Sequence, residues 1–340
     1  MSGGPVLEVS GLKVEFTTRR GKATVLNDVS FTLAAGETLG IVGESGCGKS
    51  MTSLAIMRLI ASPPGRISAG RILFNGEDLV QASPERMREI RGNNISMIFQ
   101  EPMTSLNPVF TVGDQIGEAL SLHRGLSAKQ ARERTVEMLH AVGIPAAKQR
   151  VDEYPHQMSG GMRQRVMIAM ALACQPSVLI ADEPTTALDV TVQAQIFDLL
   201  RELQERTHAA IILITHDMGV IAETTDRVVV MYGGRTIETG YTDEILANPR
   251  HPYTQGLIAC LPRLEPGALA SREPLPEIRG MVPSIWELGQ GCPFAARCPY
   301  VMPHCSSRMP PQFEVGQDHH AACWLHESEE SIRPNAEVTR

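Results

Sequence analysis

The chain has 340 residues, and its hydrophobic content of 43% is typical of a globular protein. Only 4% of the residues are aromatic, so the core must rest on Leu, Ile, Val, Met and Ala. This length suits one large α/β domain with an appendage, and the net charge of −7 argues against a general nucleic-acid binder.

Neither a secretion signal nor a membrane span is expected. Residues 1–5 have neither a basic start nor an apolar stretch. The most apolar window, 166–181, is interrupted by Gln175 and Pro176 and is too short to cross a bilayer. It predicts a buried helix over 166–174, followed by a turn and a strand.

The first motif along the chain is a glycine-rich loop between a strand and a helix. Residues 38–42 are typical of a short buried strand, and the apolar spacing of 51–60 predicts a helix. The loop matches the phosphate-binding pattern G-x-x-x-x-G-K-[ST] and consists of Gly43, Glu44, Ser45, Gly46, Cys47, Gly48, Lys49 and Ser50.

Each residue type in this P-loop has a chemical reason. Its glycines let the backbone curl so that successive N–H groups point at phosphate oxygens. The start of the next helix adds the positive end of its dipole. Lys49 is expected to reach the β- and γ-phosphates of a nucleotide, and the Ser50 hydroxyl to hold Mg²⁺.

Later segments predict further elements. Residues 70–76 predict a strand that ends in an Asn-Gly turn. A helix is predicted after Ser127, where Gln130 completes a capping box, and it should stop before Gly143. From residue 240 the prolines favour a short helix near 254–260 and then a linker.

An apolar run ending in two acids, residues 177–183, predicts a buried parallel strand with charge at its carboxyl end. Asp182 is placed to organise Mg²⁺. Glu183 is placed to polarise an attacking water as a general base. Two adjacent acids after a strand also occur in solvated turns, but the P-loop upstream favours the catalytic interpretation.

Between the P-loop and this strand, residues 159–164 read Ser-Gly-Gly-Met-Arg-Gln and resemble the signature loop of ABC-transporter ATPases. Other positions match in the family's order. Gln100 resembles the Q-loop glutamine, Asp189 the D-loop aspartate and His216 the switch histidine. Phe16 stands where the family places an aromatic ring against adenine.

The resemblance implies an α/β fold: a P-loop ABC ATPase cassette over 6–255 with a helical subdomain at about 92–165. A small cysteine-bearing tail domain is expected over 256–326, and 327–340 are expected to be disordered. The implied cofactors are ATP and Mg²⁺. The implied Mg²⁺ ligands are Ser50, Gln100 and Asp182, and the implied catalytic residues are Glu183, His216 and Gln100. ATP contacts are implied for Phe16, the P-loop, Ser159, Gly160, Gly161 and Asp189.

Three further segments, 99–108, 154–159 and 251–254, resemble the oligopeptide/dipeptide-permease branch, which nickel importers share. The resemblance implies two transmembrane permease subunits, a second cassette in a homo- or heterodimer, and an extracytoplasmic solute-binding protein as an indirect partner. The chain should then lie peripherally on the cytoplasmic face of the membrane. ATP binding would close two cassettes, and hydrolysis would reopen them.

Two other classes of function compete with import of peptides, nickel or another small solute. Soluble ABC ATPases of DNA repair or translation usually carry two cassettes or a long coiled coil, and no sustained heptads separate Lys49 from Ser159. A metal-sensing regulator would use the tail as its main function, but Glu183 and His216 favour an active ATPase.

The cysteines divide into two groups. Cys47, Cys174 and Cys260 are interpreted as packing residues. Four others, Cys292, Cys298, Cys305 and Cys323, crowd the tail. They lack the paired spacing of zinc modules, and some members of the resembling family hold a [4Fe–4S] cluster there. A cluster, zinc and no metal stay open. Because the P-loop and Glu183 are expected to lie in a separate domain, a Cys→Ser change that loosens the tail should affect ATP hydrolysis less than transport.

Overall fold

The computed structural model of the protein describes residues 4–100, 105–185, 189–261 and 277–327. The linker predicted after the short helix lies largely outside these ranges, as do residues 328–340 of the predicted disordered end. Residues 101–104 and 186–188, which belong to segments that carry the family resemblance, also lie outside them.

The first part of the chain is rich in strands. In chain order its elements are β1 (Leu7–Thr18), β2 (Gly21–Leu33), β3 (Thr38–Val42), α1 (Lys49–Ile56), β4 (Gly65–Phe74), β5 (Glu77–Asp78), α2 (Pro84–Ile90) and β6 (Ile95–Ile98). A helical region follows, with α3 (Val112–Arg124), α4 (Ala128–Ala141), α5 (Ala147–Arg150) and α6 (Gly160–Leu172).

Strands and helices then alternate. These elements are β7 (Val178–Asp182), α7 (Val190–Thr207), β8 (Ala210–Thr215), α8 (Met218–Thr224), β9 (Arg227–Tyr232), β10 (Arg235–Tyr241), α9 (Thr242–Ala247) and α10 (Pro252–Ala259). The tail contributes the short strands β11 (Phe313–Gly316) and β12 (His319–Ala321), together with single 3-10 turns such as Ala295–Arg297.

Within the described ranges, the strands form one sheet of eight and one of four. The large sheet has the order β11-β12-β10-β9-β3-β8-β7-β6. Its strands β3, β6, β7 and β8 are parallel and every residue in them is buried, as their nearly continuous apolar sequences require. Their carboxyl ends therefore meet at one edge, which is where the motif residues follow.

The small sheet is antiparallel, with the order β2-β1-β4-β5. Its inner face and the large sheet share one apolar core that includes Leu26, Ile41 and Ile72. A second core joins α3, α4 and α6 to β7 and β8. A third core joins β9 and β10 to the tail through Tyr232, Tyr253 and Phe294.

Several local predictions are confirmed. Strand β3 spans the predicted residues, and Ser127 caps α4 with both bonds of the capping box to Gln130. Asn75 and Gly76 have positive φ values of 48° and 84°, as a tight turn between β4 and β5 needs. The helix predicted over 51–60 instead runs from Lys49 to Ile56, because Arg58 has a φ of 48° and cannot continue it.

The helical region and the tail are bounded differently from the expectation. Strand β6 pairs with β7 in the large sheet, so the helical region begins after it and not near residue 92. The expected boundary at 255/256 falls inside α10. Strands β11 and β12 continue the large sheet from β10, so the tail shares a sheet with the P-loop strand β3. No helix in the described residues is long and apolar enough to cross a membrane.

Candidate nucleotide-binding and hydrolysis site

The P-loop connects β3 to α1 and depends on glycine at two crowded positions. Gly43 has a φ of 155°, and a Cβ there would collide with the Met231 carbonyl oxygen. Gly48 has a φ of 105°, and a Cβ there would lie 2.6 Å from the side chain of Leu26. Side chains at these positions would push the loop off β9 and β2, so the motif's glycines are required by packing as well as by backbone conformation.

Lys49 is held inside this loop. Its side chain is buried, and its ammonium group donates to the carbonyl oxygens of Gly43 at 2.6 Å and of Glu44 at 3.2 Å. These bonds place a positive charge at the centre of a ring of backbone groups. Together with the N–H groups at the start of α1, this charge makes the loop a binding site for an anion.

Strand β7 delivers a carboxylate to the P-loop. The Ser50 hydroxyl donates to Asp182 Oδ1 over 3.1 Å, which joins α1 to the carboxyl end of β7. Asp182 is 3% exposed, and this burial raises the pKa of its carboxyl group. Two oxygen ligands at the edge of a phosphate-binding loop form a donor set suited to Mg²⁺.

Glu183 lies next to this pair, between two other predicted site residues. The Gln100 amide donates to Glu183 Oε2 at 2.9 Å, and His216 Nδ1 lies 3.3 Å from Oε1. The Glu183 backbone has a φ of 45°, unusual for a non-glycine residue, and its N–H donates to the Ile214 carbonyl. The carboxylate thus lies between residues that follow two other strands, Gln100 after β6 and His216 after β8.

The signature serine and the D-loop aspartate each cap the helix that follows them. Ser159 and Asp189 are exposed N-caps of α6 and α7, and they accept hydrogen bonds from Met162 and Val192, respectively. Among the described residues, the hydrogen bonds of Lys49 go to Gly43 and Glu44, and those of Ser159 and Asp189 stay within their own helices. Gly160 is also exposed, whereas Gly161 is partly buried and faces Val192.

Helix α6, which follows Ser159, contacts the segment after β7 through Gln164. Gln164, which is 2% exposed, donates its side-chain amide to the Pro184 carbonyl oxygen, one residue after Glu183. The predicted adenine contact, Phe16, is partly buried on β1, where it pairs with Ala23 and Gly65. The polar site described above is therefore built without Phe16.

Two residues that no sequence pattern indicated hold the P-loop from outside. Tyr253 accepts a hydrogen bond from the Glu44 backbone N–H at 2.8 Å. Arg297, in the tail, forms a bidentate salt bridge with the Glu44 carboxylate. Its Nη1 lies 2.6 Å from Oε2, and its Nη2 lies 3.0 Å from Oε1. Tyr253 belongs to the 251–254 segment that carries the branch resemblance, but nothing in its local sequence indicates this contact.

These contacts correct the expectation of a tail separate from the ATPase site. Arg297, which lies between Cys292 and Cys298 in the sequence, contacts the P-loop directly. Changes in the tail therefore have a short physical route to the nucleotide site. The premise that the tail is a separate domain is therefore wrong, and the expectation that ATP hydrolysis suffers less than transport loses that support.

The four tail cysteines surround one apolar cavity. Cys292, Cys298, Cys305 and Cys323 line it together with Phe294 and Trp324, and its free volume of ≈ 10 Å³ fits about one water molecule. Burial raises the pKa of Cys292 to about 12 and that of Cys323 to about 11. Among the described residues, no three His, Cys, Asp or Glu side chains are grouped closely enough to hold a metal ion.

Comparison with known families gives two matches. Residues 26–186 match the family described as ABC transporter, and residues 237–305 match the C-terminal region of the oligopeptide/dipeptide transporters. The second match covers most of β10, Tyr253, Arg297 and three of the four tail cysteines. The two residues that contact Glu44 of the P-loop, Tyr253 and Arg297, thus both lie within the region that matches the oligopeptide/dipeptide transporters.

Relatives of similar length are named as peptide transport proteins. A putative peptide import ATP-binding protein of Brucella ovis is 52% identical over 95% of this chain and 98% of its own length. The dipeptide transport ATP-binding protein DppD of Bacillus subtilis is 52% identical over 94% of each chain. The oligopeptide transport ATP-binding protein OppD of the same organism is 52% identical over 94% of this chain and 88% of its own.

Solved structures of ABC cassettes share the fold. The cassette MJ0796, solved as a dimer, superposes with a TM-score of 0.63 at 26% identity, covering 69% of this chain and 98% of that one. A second structure of that cassette is a dimeric post-hydrolysis state bound to ADP and Pi, with a TM-score of 0.62. CbiO1 of Clostridium perfringens superposes with a TM-score of 0.60 at 30% identity, covering 72% of this chain and 92% of its own.

Two substitutions separate nucleotide binding from hydrolysis. Lys49→Ala removes a charged donor and should weaken MgATP binding by about 10- to 100-fold. Glu183→Gln cannot accept a proton from water, so it should bind MgATP normally and lose about 100- to 10,000-fold in kcat. Equilibrium binding of a fluorescent ATP analogue and steady-state phosphate release measure the two effects.

Exposed residues of the same types provide the controls. Lys148→Ala and Glu137→Gln alter the surface of the helical region and should leave both measurements unchanged. Turnover near the wild-type rate in Glu183→Gln would contradict the general-base assignment.

Proposed function

The chain belongs to the ABC transporter family as an ATP-hydrolysing subunit, and on this premise we propose that it powers an importer of di- and oligopeptides. The observation that carries the proposal is the convergence of Lys49, Asp182 and Glu183 at one sheet edge. The C-terminal match and the peptide-transport names of relatives about 50% identical support the cargo.

Each site residue then has a role in hydrolysis. Lys49 binds the β- and γ-phosphates, and Ser50 and Asp182 would hold Mg²⁺, which supplies positive charge against the phosphate oxygens when bound. Glu183 accepts the proton of the attacking water. Its hydrogen bond from Gln100 and its contact with His216 keep the carboxylate in place during this transfer.

The family acts through paired cassettes, and we assign Ser159 to the nucleotide of the opposite subunit. Ser159 and Gly160 are exposed at the start of a helix, so their N–H groups are available to a phosphate brought by a second chain. A closed pair of cassettes would surround each γ-phosphate with donors that one subunit lacks.

Mixing two inactive variants tests this assignment. In a dimer of Lys49→Ala with Ser159→Arg, both defects fall on one composite site and the other site is intact. ATPase activity should therefore return in the mixture, although each variant alone is inactive. A mixture that forms dimers but shows no recovery would contradict either the shared site or the homodimer.

The membrane partners are proposed to dock beside Gln100. Val109 and Phe110, which follow it in the chain, are 70% and 52% exposed and offer two adjacent apolar side chains to a partner. Two permease subunits would cover this patch and place the chain on the cytoplasmic face of the membrane. An extracytoplasmic binding protein would deliver the cargo, which would not touch this chain.

Reconstitution of the complete transporter tests the function. The chain should co-purify with hydrophobic permease subunits, and in liposomes the complex should take up short peptides only when ATP is supplied. The Glu183→Gln complex should bind the same subunits and take up none. ATP-driven uptake of Ni²⁺ instead would change the cargo, and co-purification with nucleic acid or ribosomes would overturn the transport function.

We further propose a [4Fe–4S] cluster on the four tail cysteines. Four thiols on one cavity provide the right donor chemistry, and His251, which also lines it, has a buried Nε2 atom with no hydrogen-bond partner among the described residues. The small free volume and the spacing of the thiols require the lining side chains to rearrange around a cluster.

Anaerobic purification tests the cluster. The protein should be brown and contain about four iron and four sulfide per chain. Cys298→Ser should abolish the colour, whereas Cys260→Ser, at an exposed cysteine outside the cavity, should retain it. Zinc at about one per chain would replace the cluster with a zinc site. Metal-free protein with a folded tail would defeat both.

A further inference from the structure

The P-loop carries an acidic residue where the chain must bind a polyanion. Glu44 follows Gly43 directly, and its carbonyl oxygen accepts from the same Lys49 ammonium that is assigned to the phosphates. An uncompensated carboxylate at this position would repel a triphosphate. Its charge and its orientation therefore matter for nucleotide affinity.

Arg297 supplies the compensating charge from the tail. Its side chain is only 5% exposed, and both of its terminal nitrogens donate to the Glu44 carboxylate. It also donates to the Tyr232 hydroxyl and to the carbonyl oxygens of Ile278 and Arg279. These bonds use all five N–H donors of the guanidinium group, a geometry that lysine cannot reproduce.

Aromatic packing makes this contact rigid. Tyr253, which accepts from the Glu44 N–H, packs edge-on against Tyr232 with ring centroids 4.7 Å apart. Phe294 contacts both rings, at 5.3 Å from Tyr232 and 5.4 Å from Tyr253. Glu44 is thus held through its carboxylate, its N–H and its carbonyl group.

Arg297 and Phe294 also lie in the segment of the tail that contributes to the cavity lined by the four cysteines. Arg297 ends the turn Ala295–Arg297, which begins two residues after Pro293 and precedes Cys298. The turn is fixed by the bond from the Ala295 N–H to the Cys292 carbonyl, and Phe294 lines the thiol cavity. The position of the guanidinium group therefore depends on how the cysteine segment is packed.

We propose that Arg297 is a positioning residue of the ATPase site, which neutralises and orients Glu44 so that the P-loop binds MgATP tightly. The proposal rests on the nucleotide site assigned above. It makes the tail a determinant of nucleotide affinity through one ion pair. It predicts an effect mainly on binding, because Arg297 pairs with Glu44 in the loop assigned to the phosphates, whereas the proposed base Glu183 follows strand β7.

A double-mutant cycle in the full-length chain tests the proposal. Arg297→Gln leaves the Glu44 carboxylate unpaired and should weaken MgATP binding at least about tenfold, raising KM more than it lowers kcat. Adding Glu44→Gln removes that charge and should restore affinity to within about threefold of the wild type. Arg308→Gln is the matched control, because Arg308 is an exposed tail arginine stacked on Trp324.

The outcomes are distinguishable. Wild-type affinity in Arg297→Gln, or a double variant as weak as the single one, would overturn the proposal. A merely structural role would lower the melting temperature without rescue by Glu44→Gln. If Arg297→Gln does not fold, Arg297→Lys decides: it keeps the charge but loses the five-donor fork, and it should still bind MgATP several-fold more weakly, whereas wild-type affinity would reject the role. Wild-type protein that does not bind MgATP would instead reject the nucleotide site itself.

Discussion

Parallel pairing of buried strands determines where the chemistry of this chain lies. The register aligns Val42 with Thr215 and Asp182 with Ile214, so β3, β7 and β8 end at the same level. Whatever follows these strands must emerge at one edge of the sheet. The P-loop, the two acids and His216 meet for this reason, although they lie far apart in the sequence.

Three carboxylates, those of Glu44, Asp182 and Glu183, lie at the sheet edge where the negatively charged phosphates are expected to bind. Each of the three acids has a different partner: Asp182 has a hydroxyl, Glu183 an amide and an imidazole, and Glu44 a guanidinium. Only the guanidinium is a permanent cation, and it is paired with the acid that lies within the phosphate loop. Asp182 also lies in the field of the Lys49 ammonium, which partly offsets the rise that burial causes in the pKa of its carboxyl group.

The sequence predicts the elements whose causes are local. Strand β3 with its P-loop, the Ser127 cap and the Asn75–Gly76 turn each follow from residues within a few positions of one another. The pairing of Glu44 with Arg297 joins residues 253 positions apart and has no local pattern. Strands β11 and β12 were also missed, because segments of three or four residues between prolines and turns show no readable alternation.

The tail belongs to the cassette because it completes an otherwise open edge. Strand β12 pairs with β10, and its buried His319 lies 2.8 Å from the carboxylate of Glu238, which also accepts from the N–H groups of Arg250 and His251. Removing a hydrogen-bonding partner from a fully buried carboxylate destabilises the folded protein. The tail therefore has two anchors on the cassette, one at the sheet edge through Glu238 and one at the P-loop through Glu44. Because Glu238 and Glu44 are each bonded by a tail side chain, the packing of the tail and the conformation of the P-loop depend on each other.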